Sequence, residues 1–198
     1  FRWGAAFTWA TGLLLALLVF YHGGILFEMG GNHPGAWGAP AFIMIAITFL
    51  SPYVYEAIMK GIGAKNIMAA IAVAYVGIVA VTYLMSQWAH FSYRGTVIHV
   101  GAMLGTIMAF NVWFRIWPAQ QKIITAVKNG QAPDAKLVAL AGLRSKQNTY
   151  LSLPLLWTMM NAHTTWASAW WFVLPVVVLL GWWIVSMLYR RAAKVKGF

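Results

Sequence analysis

The chain has 198 residues, of which 62% are hydrophobic and only 9% are charged. Soluble domains carry about 25% charged residues, so this composition excludes an ordinary soluble globule and predicts a protein of the lipid bilayer. The net charge of +11 would also suit nucleic-acid binding, but the basic residues flank apolar segments, and we expect no nucleic-acid partner. The sequence has no cysteine, which excludes disulfides, iron–sulfur clusters and covalently attached haem within this chain.

Six apolar stretches are long enough to cross a hydrocarbon core of roughly 30 Å as helices, which takes about 20 residues. They lie at about 5–27, 39–59, 66–88, 97–117, 148–165 and 168–189. The fifth is the weakest and contains Pro154, which a membrane helix tolerates when neighbouring groups satisfy the freed carbonyl. The predicted fold class is therefore an all-α polytopic transmembrane bundle of about six spans.

The Lys and Arg residues fall almost entirely on one side of this arrangement. Of the fourteen, only Arg94 lies on the other side. The positive-inside rule then predicts that both termini are cytoplasmic. Omitting the fifth span would place the last four cations outside, so the charges support keeping it. The cytoplasmic set is Arg2, Lys60, Lys65, Arg115, Lys122, Lys128, Lys136, Arg144, Lys146, Arg190, Arg191, Lys194 and Lys196.

One transmembrane domain accounts for residues 1–198, with a cytoplasmic amphipathic connection at about 118–147. A helix is predicted to continue to Asn129, where Gly130 and the Pro133-Asp134 pair end it. A second helix over 135–144 is expected to lie at the interface, with its cations toward anionic headgroups. Because the chain begins without a Met, we expect a processed or incomplete polypeptide.

All five histidines fall on the side opposite to the cations. His22, His90, His99 and His163 come from four different spans at one depth, and His33 lies in the loop after the first span. Histidine beside a span is costly unless it is paired, hydrated or liganded. One interpretation is axial ligation of a b-type haem, or another metal site; the alternative is that each imidazole bonds to water or to a carbonyl.

Two carboxylates and a pair of glycines are the other notable residues of the predicted spans. Glu28 and Glu56 lie near span ends, where a carboxylate either relays protons or, as we favour, pairs or caps. Gly101 and Gly105 form a G-x-x-x-G pattern on the fourth span, which is typical of close helix packing.

The fourth span carries the most specific motif of the chain. The segment from His99 to Asn111 reads HVGAMLGTIMAFN and is followed by PAQQK at 118–122. Together with the opening at 1–12 and the NAH run at 161–163, these segments resemble the membrane domain of the bacterial cytochrome c-linked urate oxidases. The resemblance covers most of the chain and is densest over 99–163.

The resemblance implies a redox activity and a site. His99 and His163 would be the first pair of haem or metal ligands, His22 or His90 would come next, and Asn111 would orient a ligand or substrate. Electrons would pass to a periplasmic c-type cytochrome, and the membrane would be the bacterial inner membrane. The chain departs from the family in having no counterpart of its first membrane helix or of its C-terminal cytochrome domain. It also has Gln-Asn-Thr at 147–149 where the family tends to have His-Asn-Asn.

Two functions of different classes remain open. The first is a membrane redox subunit that resembles the urate oxidase membrane domain. The second is a non-catalytic accessory subunit of a larger respiratory or photosynthetic complex, whose apolar faces pack against partner helices. A transporter has less support, because the sequence has no repeated halves or broken helix pairs.

Overall fold

We describe the fold from a computed structural model, which covers residues 2–28 and 36–195. Within these ranges the chain forms six long helices and no β-strand. The helices are α1 (Arg2–His22), α2 (Ala39–Lys65), α3 (Ile67–Trp88), α4 (Tyr93–Lys128), α5 (Ala135–Asn161) and α6 (Val173–Ala192). The all-helical fold predicted from the sequence is confirmed. His33 and Lys196 lie outside the described residues.

The predicted fourth span extends at both ends in the structure. We expected it to begin near residue 97, but α4 begins at Tyr93 because Ser92 caps it: the Ser92 hydroxyl oxygen accepts the Gly95 N–H at 2.9 Å. The same hydroxyl donates to the Ile25 carbonyl at 2.8 Å, which fixes the chain after α1 against the start of α4. His99 therefore lies inside the helix and not at its start.

The largest difference from the sequence prediction concerns α5. We expected an interfacial helix over 135–144 and a separate span over 148–165, but one helix runs from Ala135 to Asn161. The Asp134 carboxylate caps its start by accepting the Lys136 N–H at 2.8 Å. The residues between the two predicted pieces include no Gly or Pro, so the helix has no local reason to end there.

The fourth helix packs against α1, α2 and α5, and α6 packs against α5 on the other side. Gly101 of α4 lies directly against Thr158 of α5, because a Cβ added at Gly101 would overlap the threonine side chain. A Cβ at Gly181 of α6 would lie 3.1 Å from the Pro154 ring. The close packing predicted for Gly101 is therefore confirmed, and it brings α4 and α5 into contact along the bundle.

Three of the helices contain a π-helical turn. These turns cover Ala16–His22 in α1, Leu84–Trp88 in α3 and Val112–Ile116 in α4. A π turn holds more residues per turn than an α-helix and therefore changes which side chains face the neighbouring helices. Tyr21 lies in the first of these turns and Arg115 in the third.

Successive helices run in opposite directions, so the bundle has two chemically different ends. The basic end carries Lys60, Arg115 and Arg144, which meet at one carboxylate. The histidine end carries His22, His90, His99 and His163, and an isolated β-bridge between Phe27 and Phe91 joins two of its connections. By length and composition, five helices in the described part of the chain, all but α5, are suited to cross a membrane.

Candidate functional site

At the basic end a buried carboxylate is surrounded by three cations. Glu56 of α2 lies 2.7 Å from Arg115, 2.8 Å from Arg144 and 3.3 Å from Lys60, as close ion pairs. We expected Arg144 to face lipid headgroups, and this prediction is wrong: the side chain is buried because its guanidinium neutralises the Glu56 carboxylate. The prediction that Glu56 pairs near a helix end is confirmed.

Asn111 extends this network into the bundle. Its Nδ2 donates to Asn148 Oδ1 at 2.9 Å and, more weakly, to the Tyr55 hydroxyl oxygen at 3.4 Å, while Arg144 Nη1 donates to Asn111 Oδ1 at 3.5 Å. The Tyr55 hydroxyl donates to Gln147 Oε1 at 2.5 Å. These bonds tie α2, α4 and α5 together. The ligand-orienting role of Asn111 stays a prediction, since its buried amide bonds to protein groups here.

His99 is enclosed at the opposite end of α4, with only 1% of its surface exposed. Its Nδ1–H donates to the Gly95 carbonyl at 2.7 Å, so Nε2 carries the lone pair and accepts the Tyr21 hydroxyl at 2.8 Å. The rings of Phe20 and Phe91 pack against the imidazole. Both polar atoms of His99 are therefore satisfied within the chain.

The other predicted histidines lie at the same end but at the surface. His22, His90 and His163 are all exposed. His90 follows α3 and has a left-handed backbone with φ of 53°, and His163 lies in the turn after α5. The structure thus separates one enclosed imidazole from three exposed ones.

The hydrogen bonds of His99 bear on its predicted role as a haem or metal ligand. A ligating histidine usually donates its second ring N–H to a carbonyl, as His99 does to Gly95, but its Nε2 is occupied by Tyr21. No group of three or more His, Cys, Asp or Glu side chains that could hold a metal ion occurs among residues 2–28 and 36–195. Ligation of haem or another metal by His99, His163, His22 or His90 stays a prediction.

A cavity of about 340 Å³ lies at the same end, between α3, the start of α4 and the segment before α6, and His90 is the histidine among its lining residues. Phe91, Trp170 and Trp171 supply aromatic walls. The polar side chains that line it are those of Glu28, Thr82, Ser86, His90, Tyr93, Thr96 and Ser168. Sites for small molecules typically combine such apolar walls with a few polar groups in volumes of about 300–1,000 Å³.

The sequence reasoning missed most of the polar cavity residues, including Tyr93 and Thr96. Thr96 is 5% exposed, and its hydroxyl has no hydrogen-bond partner in the described part of the chain. Tyr93 lines the same cavity, and its hydroxyl is bonded to the Asn161 amide. A helical spacing of three or four residues relates Thr82 to Ser86 and Tyr93 to Thr96. These polar side chains each lie on one face of an otherwise apolar span, and this pattern in the sequence could have indicated the cavity.

Comparison with known proteins adds one match. A family model described as urate oxidase N-terminal matches residues 1–197. No curated protein matches the chain, and no solved structure does. The matched range includes both the Glu56 network and the cavity at the histidine end.

Proposed function

The chain belongs to the urate oxidase N-terminal family, and on that premise we propose that it is a redox subunit of the bacterial inner membrane. It binds and oxidises a small planar substrate of the urate class in the cavity at the histidine end. The electrons pass to a periplasmic c-type cytochrome. The family membership predicted from the motif at 99–163 is confirmed by the match over 1–197.

The membrane orientation in this proposal rests on the charge distribution. Five long apolar helices are suited to span the membrane, and α5 runs beside them between the two ends. With six crossings Arg2 and Arg190 lie with most other cations at the basic end, which is therefore cytoplasmic. The histidine end then faces the periplasm, so the cavity lies on the side where a soluble c-type cytochrome is present. A reporter fused after Val195 that is active only in the cytoplasm tests this orientation.

The observation that carries the proposal is the lining of the cavity. Trp170 and Trp171 offer flat apolar surfaces, on which a planar heterocycle stacks. Glu28, Tyr93 and Thr96 offer acceptors and donors at the edge of that space. A heterocycle with alternating carbonyl and N–H groups satisfies both kinds of surface, and urate is such a molecule.

The direct test uses the purified chain in lipid nanodiscs with urate as the substrate and ferricytochrome c as the acceptor. We expect urate-dependent reduction of the cytochrome, followed by its absorbance. The Trp171→Ala variant should raise the KM for urate by about tenfold, because it removes a stacking surface. The matched control is Trp183→Ala, on the exposed face of α6 and outside the cavity lining. No urate-dependent reduction, or an equal loss in both variants, contradicts the proposal.

A b-type haem or another metal remains part of the proposal as a separate question. If bound, it would supply a one-electron carrier at this end, with His99 as the candidate ligand. The test is a reduced-minus-oxidised optical spectrum with elemental analysis of the purified chain. A haem band that is present in the wild type and absent in His99→Ala supports ligation. A wild type with neither haem nor metal overturns it, without deciding whether urate binds.

The accessory-subunit hypothesis is favoured by one observation on α1. None of the residues in Arg2–Leu15 is buried, and Phe7 is 66% exposed. Either lipid or a helix of a partner subunit can cover this exposed face. Gentle solubilisation followed by size analysis distinguishes the two: co-purification with a large complex, together with no urate oxidation, would replace the redox proposal by this one.

A further inference from the structure

A trio of hydrogen-bonding residues joins α4 to α5 at the edge of the cavity. Tyr93 is the first residue of α4 and lines the cavity, while Asn161 is the last residue of α5 and is buried. The Asn161 amide bonds to the Tyr93 hydroxyl on one side and to the Thr164 hydroxyl on the other. The direction of these bonds decides what Tyr93 offers to a bound molecule.

The distance between Thr164 and Asn161 fixes that direction. Thr164 Oγ1 lies 2.5 Å from Asn161 Oδ1, which is within the range of O–H···O bonds and shorter than the range of N–H···O bonds. The threonine therefore donates to the amide oxygen. This orientation turns the Asn161 NH₂ group toward Tyr93, so the Tyr93 oxygen accepts a hydrogen bond from the amide.

We infer that Tyr93 is the hydrogen-bond donor that orients the ligand in this cavity. Because its oxygen already accepts from Asn161, its own proton is available to the cavity, where it selects a ligand with a carbonyl or an oxyanion at its edge. A ligand whose edge carries only N–H groups cannot accept this proton and gains no hydrogen bond from Tyr93. Asn161 and Thr164 are positioning residues that hold Tyr93 in the donor state. The inference rests on the proposed function in that the ligand is the urate-class substrate.

Two variants separate the donor role from simple support of the fold. Tyr93→Phe keeps the ring and removes the donor, and we expect KM for urate to rise by about tenfold with little change in kcat. Asn161→Asp replaces the amide by a carboxylate, which only accepts hydrogen bonds when ionised. The Tyr93 proton would then turn to that carboxylate, so N161D should raise KM as much as Y93F does.

The double variant and a matched control complete the kinetic test. Because both changes remove the same proton from the cavity, the Y93F/N161D double variant should lose no more than either single variant. The control is Tyr53→Phe, since Tyr53 is exposed on α2 and outside the cavity lining. A normal KM in Y93F, or losses that multiply in the double variant, overturns the inference.

A vibrational measurement keeps the inference testable if urate is not the substrate. The C–O stretching band of a tyrosine differs between a hydroxyl that donates and one that only accepts. The Tyr93 band, obtained as the difference between wild type and Y93F, should report an acceptor in the free protein and a donor in N161D. A donor band in the free wild type refutes the role of Tyr93. An acceptor band without urate turnover instead refutes the proposed function alone.

Discussion

The two ends of the bundle use buried polar groups in opposite ways. At the basic end, Glu56, Arg144 and Asn111 bond to one another and to their neighbours, while the buried Nε groups of Arg115 and Arg144 have no hydrogen-bond partner in the described part of the chain. At the histidine end, Thr96 lines a cavity with a hydroxyl that has no partner in the described part of the chain, and Tyr93 lines it with the proton that we infer to be available. Buried polar groups that bond to one another hold helices together. Polar groups that can still form a hydrogen bond are the ones that recognise a ligand.

This comparison predicts that the two ends fail differently when they are changed. Substitutions in the Glu56 network should lower stability and leave the affinity of the remaining folded protein for urate unchanged. Substitutions in the cavity should weaken binding with a small effect on stability. The following experiments test this division, from the largest expected effect to the smallest.

The largest effect is expected for Glu56→Gln. The variant removes the charge that Arg115 and Arg144 share and leaves a buried guanidinium without its counter-ion, which costs about 3–5 kcal/mol. Thermal unfolding in detergent or nanodiscs measures the change. The matched control is Lys60→Gln, which removes the exposed partner of the same carboxylate and should cost less than about 1 kcal/mol. Equal Tm values for E56Q and the wild type would refute the structural role of this network.

An intermediate effect is expected midway between the two ends, at Gly101→Ala. The added methyl overlaps the buried Thr158 side chain, so either the threonine rotates or α5 moves, at a cost of about 1–3 kcal/mol. Gly105→Ala is the control one turn further along, where the nearest atoms of α5 are 3.9 Å away. We expect G105A to be neutral or slightly stabilising. If G101A unfolds at the same temperature as G105A, the two helices do not pack as described.

The smallest effect is expected for Tyr21→Phe. It removes one hydrogen bond to His99 and leaves the Gly95 carbonyl bond in place, so the free energy of unfolding should fall by about 1 kcal/mol. The control is Tyr53→Phe, which changes an exposed side chain on α2 and should have no measurable effect. A loss in Y21F as large as that of E56Q would show that the histidine end also carries the stability of the fold, against the division drawn above.

Hydropathy and charge predicted the helical spans well because both act locally. The predicted span at 66–88 and helix α3 at Ile67–Trp88 agree within one residue. The continuous α5 was not predicted, because Lys136, Arg144 and Lys146 make its first half resemble an interfacial segment. The partner that allows Arg144 to be buried is Glu56, which is distant in sequence. Only packing brings the two charges together, and no local pattern indicates it.

The candidate site shows the same limit. The sequence placed His22, His90, His99 and His163 at one depth in the membrane, and these four do lie at one end of the bundle. That depth carried no information on which of them is buried. His99 is enclosed because Tyr21 and Phe91, from two other segments, fold over it. The cavity depends on Trp170 and Trp171, although each of them alone is typical of the aromatic residues that lie at a membrane interface. Their role as walls appears only when α3, α4 and the segment before α6 meet.

The π turns make chain length itself a structural variable. A π turn accommodates about one residue more than an α turn, so deleting one residue within Val112–Ile116 would restore α-helical winding with little rotation of the rest of α4. The face of 117–128 would keep its contact with α5. The same deletion in the regular α-helical part of α4 would rotate everything after it by about 100° about the helix axis. We therefore expect one-residue deletions to be tolerated at this turn and to disrupt packing elsewhere in the helix.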